Sequence, residues 1–398
     1  MKNFVFISPN FPVAYWKFCA ELKNNGMRVL GIGDCPYEKL TQQLRDSLHE
    51  YYKVSNLENY DEVFRAVAFL TYKYGKIDWL ESNNEYWLER DAALRTAFHI
   101  TTGFQEADMD RIKRKSAMKA YYAKAGIPVA RYHIVDDYES TRAFANTVGY
   151  PVIVKPDNGV GANSTYRLRS DEELQYFFAT KDKHVYIMEE FVNGYVRTYD
   201  AIIDSKGEPL FESGNVTPQS LMDIVNTNDN SLYYIVKELP PEMLDIGRRA
   251  VKAFDVRSRF VHLEFFVLNA DQAGLGKKGD IIGLEVNMRP AGGYTPDMYD
   301  YAYETDVYKI WADMVAFDRC TMPMNRPRHY CAFCGRRDGK NFVMDHSAIM
   351  AKYGHSIKLH GRIPEALSGA MANQMYIANF DTEEAMQQFY HDLLECKP

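Results

Sequence analysis

The sequence lacks the features that mark several large classes of protein. No stretch of its 398 residues approaches the roughly 18 consecutive apolar residues that a membrane helix requires. The chain has no long basic run and a net charge of -7, which argues against nucleic acid as its main partner. Its six cysteines are scattered and do not form the pattern of a disulfide framework, so we expect a cytoplasmic protein with reduced thiols. Neither an internal repeat nor a low-complexity segment is present.

The composition is that of an ordinary globular enzyme, with 46% apolar and 25% charged residues. Near the N-terminus, residues 4–7, 15–25 and 28–32 follow the pattern strand, helix, strand, which predicts a parallel α/β sheet. Open parallel sheets hold ligands at the carboxyl ends of their strands. We therefore expect the loops at residues 8–12 and 81–85 to contribute to a site shared with the rest of the chain.

This first domain does not carry the glycine pattern of a dinucleotide-binding site. Its only Gly-x-Gly is Gly31-Ile-Gly33, which lacks a third glycine and is not followed by the start of a helix. An α/β domain that supplies loops to a shared site is therefore favoured over a dinucleotide cofactor domain.

Two predicted strands further along combine an apolar face with a charged face. In residues 260–268, Glu264 stands on the face opposite a row of apolar side chains, namely Val261, Leu263, Phe265 and Val267. In residues 281–289, one face carries Leu284, Val286 and Met288, and the other carries Glu285, Asn287 and Arg289. The polar residues 269–280 between the two strands predict a hairpin.

An antiparallel hairpin would place Glu264 and Glu285 side by side on one face. Two carboxylates at that distance repel each other unless a cation lies between them, and oxygen ligands suit Mg2+ or Mn2+. Two solvated acids on an edge hairpin are the alternative. The amide of Asn287 and the guanidinium of Arg289 on the same face favour the metal site.

A lysine and a neighbouring loop predict a phosphate site. Lys155 stands near the end of the predicted strand 150–156, and residues 157–165 form a loop that contains glycine and hydroxyl groups. Backbone N–H groups, hydroxyls and the ammonium of Lys155 would surround phosphate oxygens, whereas a plain hairpin loop is the alternative. Residues 184–192, followed by Asn193-Gly194, fit either a crossover whose backbone reads an adenine edge or an ordinary Asn-Gly hairpin.

The rest of the pattern predicts helices at residues 113–125, 240–254 and 302–315. The part after Cys320 is predicted to mix strands at 339–343, 356–359 and 374–377 with a helix at 382–394.

Cys331 and Cys334 suggest a zinc site, but no second pair follows, and a strand would point the two thiols to opposite faces. Arg336-Arg337 is expected to be a solvated pair, with recognition of a substrate carboxylate as the alternative.

The order of these parts resembles the ATP-grasp superfamily. The matching features are Lys115 before a helix that ends in Gly126-Ile-Pro128, the strand-end Lys155 with its glycine loop, the Glu189-Glu190 segment, and the run Glu-x-Asn-x-Arg-Pro-x-Gly-Gly at 285–293. In particular, the chain is similar to the carboxylate–amine ligases of that superfamily, which are related to biotin carboxylase and carbamoyl-phosphate synthetase. The resemblance covers roughly residues 110–315.

The resemblance implies a mixed α/β and α+β architecture in three parts. Residues 1–110 would form a parallel α/β domain, residues 111–319 the ATP-grasp domain, and residues 320–398 a small C-terminal α+β segment. Residues from about 128 to 192 would form a mobile lid over the nucleotide.

The resemblance also implies roles for individual residues. Contacts to the nucleotide phosphates would come from Lys115, Lys155, Gly159, Gly161, Ser164 and Thr165. The hinge whose backbone reads adenine would consist of Glu189, Glu190, Phe191 and Val192. Two Mg2+ (or Mn2+) ions would be bound by Glu264, Glu285 and Asn287, and Arg289 would stabilise the acyl phosphate and the tetrahedral intermediate. The family usually has an acid after the hinge that holds ribose, but residues 193–197 contain none, so the ribose contact must differ.

The implied activity is the Mg-ATP-dependent formation of an amide from a small carboxylate, expected to be an amino acid, and an amine, with release of ADP and phosphate. One alternative is a bicarbonate-activating enzyme of the carboxylase or carbamoyl-phosphate type, which would need a biotin carrier or an ammonia supply. The other is a regulatory module that binds ATP without turnover, which would not require Arg289. No membrane or nucleic-acid partner is expected, and the sequence is compatible with a homodimer without determining the oligomeric state.

Overall fold

A four-stranded parallel sheet forms the first part of the molecule. The computed structural model describes residues 1–159, 164–218, 229–323 and 325–397. The strands are β1 (Asn3–Ile7), β2 (Arg28–Gly33), β3 (Glu50–Lys53) and β4 (Trp79–Glu81), in the order β3-β2-β1-β4. The connecting and following helices are α1 (Trp16–Asn24), α2 (Gln42–Ser47), α3 (Tyr60–Tyr74) and α4 (Leu88–Ala97). The predicted parallel α/β sheet is therefore confirmed.

A second, antiparallel sheet of four strands follows two short helices, α5 (Met109–Lys113) and α6 (Lys115–Lys124). Its strands are β5 (Tyr132–Ile134), β6 (Val152–Pro156), β7 (Tyr166–Leu168) and β8 (Tyr186–Glu190), in the order β5-β8-β6-β7. Its helices are α7 (Tyr138–Val148) and α8 (Asp171–Thr180). This sheet lies within the range predicted to be the lid.

The third sheet has nine strands among the described residues, and they lie between Gly194 and Phe380. They are β9 (Gly194–Ile203), β10 (Pro209–Ser213), β11 (Asn215–Thr217), β12 (Ser231–Ile235), β13 (Arg259–Leu268), β14 (Ile281–Asn287), β15 (Tyr330–Arg336), β16 (Ile357–Arg362) and β17 (Gln374–Phe380). The main path runs β14-β13-β9-β11-β12-β15-β17-β16, with β10 paired to β9. The C-terminal strands β15 to β17 thus extend the same sheet that carries β13 and β14, although the predicted boundary at residue 320 remains a prediction.

Six helices accompany this sheet in the described residues. They are α9 (Pro241–Ala253), α10 (Thr295–Tyr303), α11 (Val307–Phe317), α12 (His346–Tyr353), α13 (Glu365–Met371) and α14 (Glu383–Leu394). An apolar cluster joins α11 to the first sheet, where Trp311 meets Phe18 edge-on at 4.9 Å between ring centroids and Phe4 at 5.6 Å. The parallel sheet and the large sheet therefore share a core. No helix among the described residues is both long and apolar enough to span a membrane.

Two predicted helices are confirmed over most of their length, but each range contains a break near its start. The helix expected at 113–125 divides at the extended residue Arg114, because Asp157 caps a new helix start by accepting hydrogen bonds from the backbone N–H and the hydroxyl of Ser116. The helix expected at 302–315 divides at Glu304, which is left-handed with φ 45°, and Asp306 caps the second helix by accepting from the N–H of Lys309.

Two further predictions are corrected by the strand pairing. Residues 339–343 form no strand, since Phe342 makes only an isolated bridge to Cys396. The Asn193-Gly194 turn does not close a hairpin, because β8 and β9 belong to different sheets. The crossover interpretation of residues 184–203 is therefore the one that the topology supports.

Replacing Gly247 of α9 with alanine should destabilise the protein by about 1–3 kcal/mol, the usual cost of overpacking. A Cβ on Gly247 would lie 2.2 Å from ring atoms of Tyr199 on β9, so the helix would have to move off the sheet. Urea unfolding measures the effect. Gly369→Ala in α13 is the control, because a Cβ there meets nothing within 4 Å. Equal effects of the two substitutions would contradict the packing argument.

Candidate functional site

Two carboxylates face each other on neighbouring strands. Strands β13 and β14 pair in antiparallel fashion, and Glu264 is the direct partner of Glu285. Both side chains are about a quarter exposed, at 26% and 25%. The opposite face of β13 is buried, with Val261, Leu263 and Phe265 fully inaccessible. The predicted pairing of the two acids is therefore confirmed, whereas their role as metal ligands remains a prediction.

The alternation of β14 is interrupted at Leu284. The register passes from Glu285 opposite Glu264 directly to Gly283 opposite Phe265, so Leu284 is an extra residue without a partner of its own. Leu284 was predicted to share the core face with Val286 and Met288, which are 1% and 0% exposed, but it is only partly buried. The bulge has turned it away from the core.

An amide and a guanidinium complete the charged face of β14. The Nδ2 of Asn287 donates to Oε1 of Glu264 at 3.3 Å, and Nη2 of Arg289 donates to Oδ1 of Asn287 at 3.3 Å. The structure thus brings together all four residues that the sequence singled out on these strands.

The side-chain oxygens of Glu264, Glu285 and Asn287 can supply part of the coordination shell of a hard cation. Two carboxylates and one amide oxygen are ligands that Mg2+ prefers, and Mg2+ normally completes its octahedral shell with water and phosphate oxygens. No group of three or more His, Cys, Asp or Glu side chains suited to a metal occurs within the described ranges. The residues are therefore suited to an ion that arrives with a phosphorylated ligand, and not to a closed protein cage.

Cations surround the two acids, and one of them was missed from the sequence. Nζ of Lys115 lies 3.1 Å from Oε1 of Glu285 and donates to the carbonyl of Gly159 at 3.3 Å. On the other side, Nε2 of His262 lies 3.2 Å from Oε1 of Glu264. His262 stands two residues before Glu264 on the same face of β13, and this spacing was the available signal.

His262 is held by an acid on the adjacent strand. Its Nδ1 lies 2.5 Å from Oδ1 of Asp200, which is fully buried on β9 and also accepts from the hydroxyl of Thr198. Burial acts to lower the pKa of His262, but Asp200 and Glu264 outweigh it and raise the pKa to about 9. Asp200 and His262 could be linked only once the pairing of β9 with β13 was known.

A buried carboxylate joins two lysines across sheet and helix. Oε2 of Glu189 on β8 lies 2.9 Å from Nζ of Lys155 on β6, and its Oε1 lies 2.6 Å from Nζ of Lys119 on α6. Burial would raise the pKa of Glu189, but Lys119 and Lys155 lower it to about 2. Sequence reasoning missed Lys119, whose signal was its position one helical turn after Lys115.

The other predicted hinge residues occupy different surroundings. Glu190 pairs with Arg131 at 2.7 Å, and the ring of Phe191 lies 4.2 Å below the guanidinium of Arg167. Val192 is 6% exposed, and its backbone N–H has no hydrogen-bond partner in the described part of the chain. A buried N–H without a partner is unfavourable, so this group is available to a ligand acceptor.

The predicted phosphate loop is described only in part. Lys155 lies on β6 and is 8% exposed, and the carbonyl of Gly159 binds Lys115 as given above. Ser164 is exposed with φ 56°, and Thr165 is partly buried. Gly161 lies outside the described residues.

The first domain reaches this site through the loop after β4. Oε2 of Glu85 lies 3.8 Å from Nε of Arg289, and its Oε1 lies 2.7 Å from Nζ of Lys113. Glu81 binds Arg259 at 3.0 Å and Arg95 at 3.4 Å, and Arg259 also donates to the carbonyl of Met288. These buried contacts fix the loop against the end of β14.

The C-terminal cysteines and arginines have structural surroundings. Cys331 and Cys334 are fully buried in different apolar clusters on opposite faces of β15, as the strand prediction required. Arg336 and Arg337 are only 6% and 5% exposed, so the prediction of a solvated pair is wrong. Arg337 donates to the carbonyls of Asp229, Ser368 and Gly369, so its guanidinium holds these backbone segments together.

Comparison with known proteins agrees with this geometry. Residues 110–204 match the family model described as carbamoyl-phosphate synthase L chain, ATP binding domain. An L-arginine-specific L-amino acid ligase from Bacillus subtilis is 25% identical over 259 residues, which are 62% of this chain and 60% of that protein. The carbamoyl phosphate synthase large chain of Methanothermobacter thermautotrophicus is 23% identical over 148 residues, which are 36% of this chain and 14% of that protein. The chain thus spans less than two thirds of the length of these curated relatives.

Solved structures match over nearly the whole chain. An L-amino acid ligase from Bacillus licheniformis superposes with a TM-score of 0.71 at 14% identity, covering 98% of this chain and 96% of that one. The biotin carboxylase domain of Hydrogenobacter thermophilus 2-oxoglutarate carboxylase, solved with MgADP and bicarbonate, has a TM-score of 0.68 at 15% identity and covers 96% of this chain and 86% of that one. The fold is therefore the ATP-grasp fold. The family match at residues 110–204 shows that this stretch is similar to the ATP-binding domain of carbamoyl-phosphate synthase, which has that fold.

Removing the charge of Glu189 should leave Lys119 and Lys155 buried without their shared counter-ion. We expect Glu189→Gln to lower the free energy of unfolding by about 3–5 kcal/mol at neutral pH, as for a broken buried ion pair. Because the pKa of Glu189 is lowered from 4.5 to about 2, its contribution is complete above pH 4.5 and is lost as the pH falls towards 2.

Denaturant unfolding at pH 7 and pH 3 measures both effects. Glu50→Gln is the control, because Glu50 forms a surface pair with Lys73 at 2.6 Å and such pairs contribute at most about 1 kcal/mol. A loss in Glu189→Gln no larger than in Glu50→Gln would show that the buried triad does not stabilise the fold.

Proposed function

We propose that this protein is a Mg-ATP-dependent ligase that joins a small carboxylate, expected to be an amino acid, to an amine and releases ADP and phosphate. The observation that carries the proposal is the contact of Glu264, Glu285, Asn287 and Arg289 on one face, beside Lys115. The similarity of this chain to an L-amino acid ligase, at 25% identity, supports the choice of an amino acid as the substrate.

The nucleotide would lie between the second sheet and the large sheet. Its phosphates would contact Lys115 and Lys155, with the loop residues Gly159, Gly161, Ser164 and Thr165 around them. The hinge residues 189–192 would hold adenine, and the unpartnered N–H of Val192 is suited to donate to a ring nitrogen. The side chain of Glu189 is engaged by Lys119 and Lys155, so its role would be to position those two ammonium groups.

Glu264, Glu285 and Asn287 would hold Mg2+ or Mn2+, with two ions expected. When bound, the metal would offset negative charge on the transferring phosphoryl group. His262 would keep Glu264 oriented through its bond to Asp200, so that the carboxylate meets the ion in a fixed direction.

The proposed reaction has two bond exchanges. A carboxylate oxygen of the first substrate bonds to the γ-phosphorus of ATP, the bond from that phosphorus to the β,γ-bridging oxygen breaks, and ADP leaves. The nitrogen of the amine then bonds to the acyl carbon, the bond from that carbon to the phosphoryl oxygen breaks, and phosphate leaves while the nitrogen loses a proton to solvent. Arg289 would stabilise the negative charge on the acyl phosphate and on the tetrahedral intermediate.

ADP release tests the proposal directly. The protein is incubated with Mg-ATP and pools of amino acids and small carboxylates, and any responding pool is analysed by mass spectrometry. A product one water lighter than the sum of two substrates supports the ligase. ADP release that requires bicarbonate would replace the ligase with the bicarbonate-activating alternative, and ATP binding without ADP release from any pool would favour a regulatory module.

The substrates are expected to be small molecules, and a homodimer remains a prediction.

Glu285→Gln should reduce turnover at least about 100-fold while leaving the fold intact, because one negative charge is lost from the proposed metal site. Initial rates of ADP release at increasing Mg2+ concentration measure the effect, and circular dichroism checks the fold. Glu208→Gln serves as the control, because Glu208 lies in the turn between β9 and β10 and not on β13 or β14. Full activity of Glu285→Gln would exclude the metal assignment.

Arg289→Ala should still bind ATP but form little product, because the arginine acts on charge that develops during the reaction. Calorimetry of ATP binding and the rate of product formation are measured on the same preparation. Loss of ATP binding in proportion to activity would instead make Arg289 a nucleotide contact.

A further inference from the structure

The strand pairing that builds the site stops before Arg289. The last paired residues of β13 and β14 are His262 and Asn287, so Arg289 lies two residues beyond the ladder. Met288, between the ladder and Arg289, is fully buried, and its backbone carbonyl requires a hydrogen-bond donor. A contact other than the strand pairing must therefore fix the backbone that carries the guanidinium of Arg289.

A side chain from the start of β13 supplies that contact. Nε and Nη2 of Arg259 donate to the carbonyl of Met288 at 3.0 and 2.7 Å. Arg259 is 2% exposed and shares the core face of β13 with Val261 and Leu263, opposite the face that carries Glu264. It therefore holds the end of β14 from the core and not from the site.

The guanidinium of Arg259 is itself held by two groups of the first domain. Its Nη2 lies 3.0 Å from Oε2 of Glu81, and its central carbon lies 4.9 Å from the centre of the Phe104 ring. The same Oε2 and the carbonyl of Phe104 also bind Arg95, which is fully buried on α4. Burial acts to raise the pKa of Glu81, but Arg259 and Arg95 outweigh it and lower that pKa. An ionised acid and an aromatic ring thus fix Arg259 in place.

Stability alone does not account for an arginine at this position. Nη1 of Arg259 is buried without a hydrogen-bond partner among the described residues, which is unfavourable. Apolar side chains of similar volume in place of a buried ion pair are often neutral or stabilising. The two hydrogen bonds to one backbone carbonyl are the feature that an apolar side chain could not provide.

We propose that Arg259 is a positioning residue, which fixes the backbone at Met288 so that the guanidinium of Arg289 keeps the direction that the reaction requires. The inference rests on the proposed ligase function. Nη2 of Arg289 donates to Oδ1 of Asn287 and its Nη1 to the carbonyl of Pro290, so the course of the backbone between these two residues sets its position. A displacement of about 1 Å can slow a reaction about 100-fold. Arg259 would thus affect the rate without touching substrate or nucleotide.

Hydroxylamine trapping measures the first half of the reaction without knowledge of the amine substrate. Hydroxylamine captures acyl phosphates as hydroxamates. The twenty common amino acids are each assayed with Mg-ATP and the wild-type protein, and the amino acid that gives the most hydroxamate is used for all variants. The values of kcat and of KM for ATP are then compared between variants.

Arg259→Lys keeps the charge beside Glu81 but lacks the fork of donors that binds one carbonyl twice. We expect it to lower kcat about 10- to 100-fold while changing KM for ATP less than about threefold. Arg95→Lys is the matched control, because Arg95 binds the same acid but donates its other hydrogen bonds within the first domain, to the carbonyls of Leu80 and Phe104. It should destabilise the protein in urea to a similar extent and change kcat less than about threefold.

A double-mutant cycle separates positioning from a general loss of structure. If Arg259 acts through Arg289, adding Arg259→Lys to Arg289→Ala should change the residual rate less than about threefold. Losses that multiply in the double variant would overturn the inference. If Arg259→Lys does not fold, Phe104→Leu takes its place, because it removes the ring beneath the guanidinium and should lower kcat about three- to tenfold. An unchanged kcat in Phe104→Leu would then overturn the inference.

Equal losses of kcat in Arg259→Lys and Arg95→Lys would overturn the inference too, because they would mean that Arg259 only stabilises the fold. The ligase function would still stand in that case. Absence of hydroxamate from the wild-type protein with every amino acid would instead overturn the proposed function on which the inference rests.

Discussion

The site depends on the direct pairing of two carboxylates, Glu264 and Glu285, on adjacent strands. Like charges in directly opposite positions destabilise a sheet unless cations lie nearby. The chain supplies those cations on both sides, with Lys115 at Glu285 and His262 at Glu264. The apolar side chains on the other face of β13 are packed into the core, which keeps Glu264 on the opposite, partly exposed face. A bound metal ion, as proposed, would neutralise part of the negative charge of the two acids. Lys115 would then be free to leave Glu285 and contact a phosphate group.

From this pair, charge contacts extend into all three sheets. Lys115 begins α6, and one turn later Lys119 of the same helix binds Glu189 in the second sheet, whose other oxygen holds Lys155. In the opposite direction, Arg289 at the end of β14 lies beside Glu85 of the first domain. The proposed nucleotide side and the proposed substrate side of the site would thus be built from separate parts of the chain, which the helix α6 and the end of β14 link.

Local patterns revealed much of this arrangement in the sequence. The alternation within two neighbouring strands indicated that an antiparallel hairpin could bring Glu264 and Glu285 side by side, while the long loop between the strands left the register open. The bulge at Leu284 was not predictable, since it arises from a register shift that only the paired strands reveal. Asp200 and Lys119 were missed because their partners are distant in sequence. The predicted solvation of Arg337 failed because its three acceptor carbonyls lie in segments that meet only in the folded chain.

The central claim is that the carboxylate substrate receives the γ-phosphoryl group before the amine reacts. Transfer of an isotope from carboxylate to phosphate tests this most directly. The protein is given Mg-ATP, the amine and a carboxylate labelled with 18O in both oxygens, and the released phosphate is examined by mass spectrometry. The account predicts one 18O atom in each phosphate and one in the amide product. Unlabelled phosphate, or release of AMP and pyrophosphate, would contradict an acyl phosphate and with it the role proposed for this site.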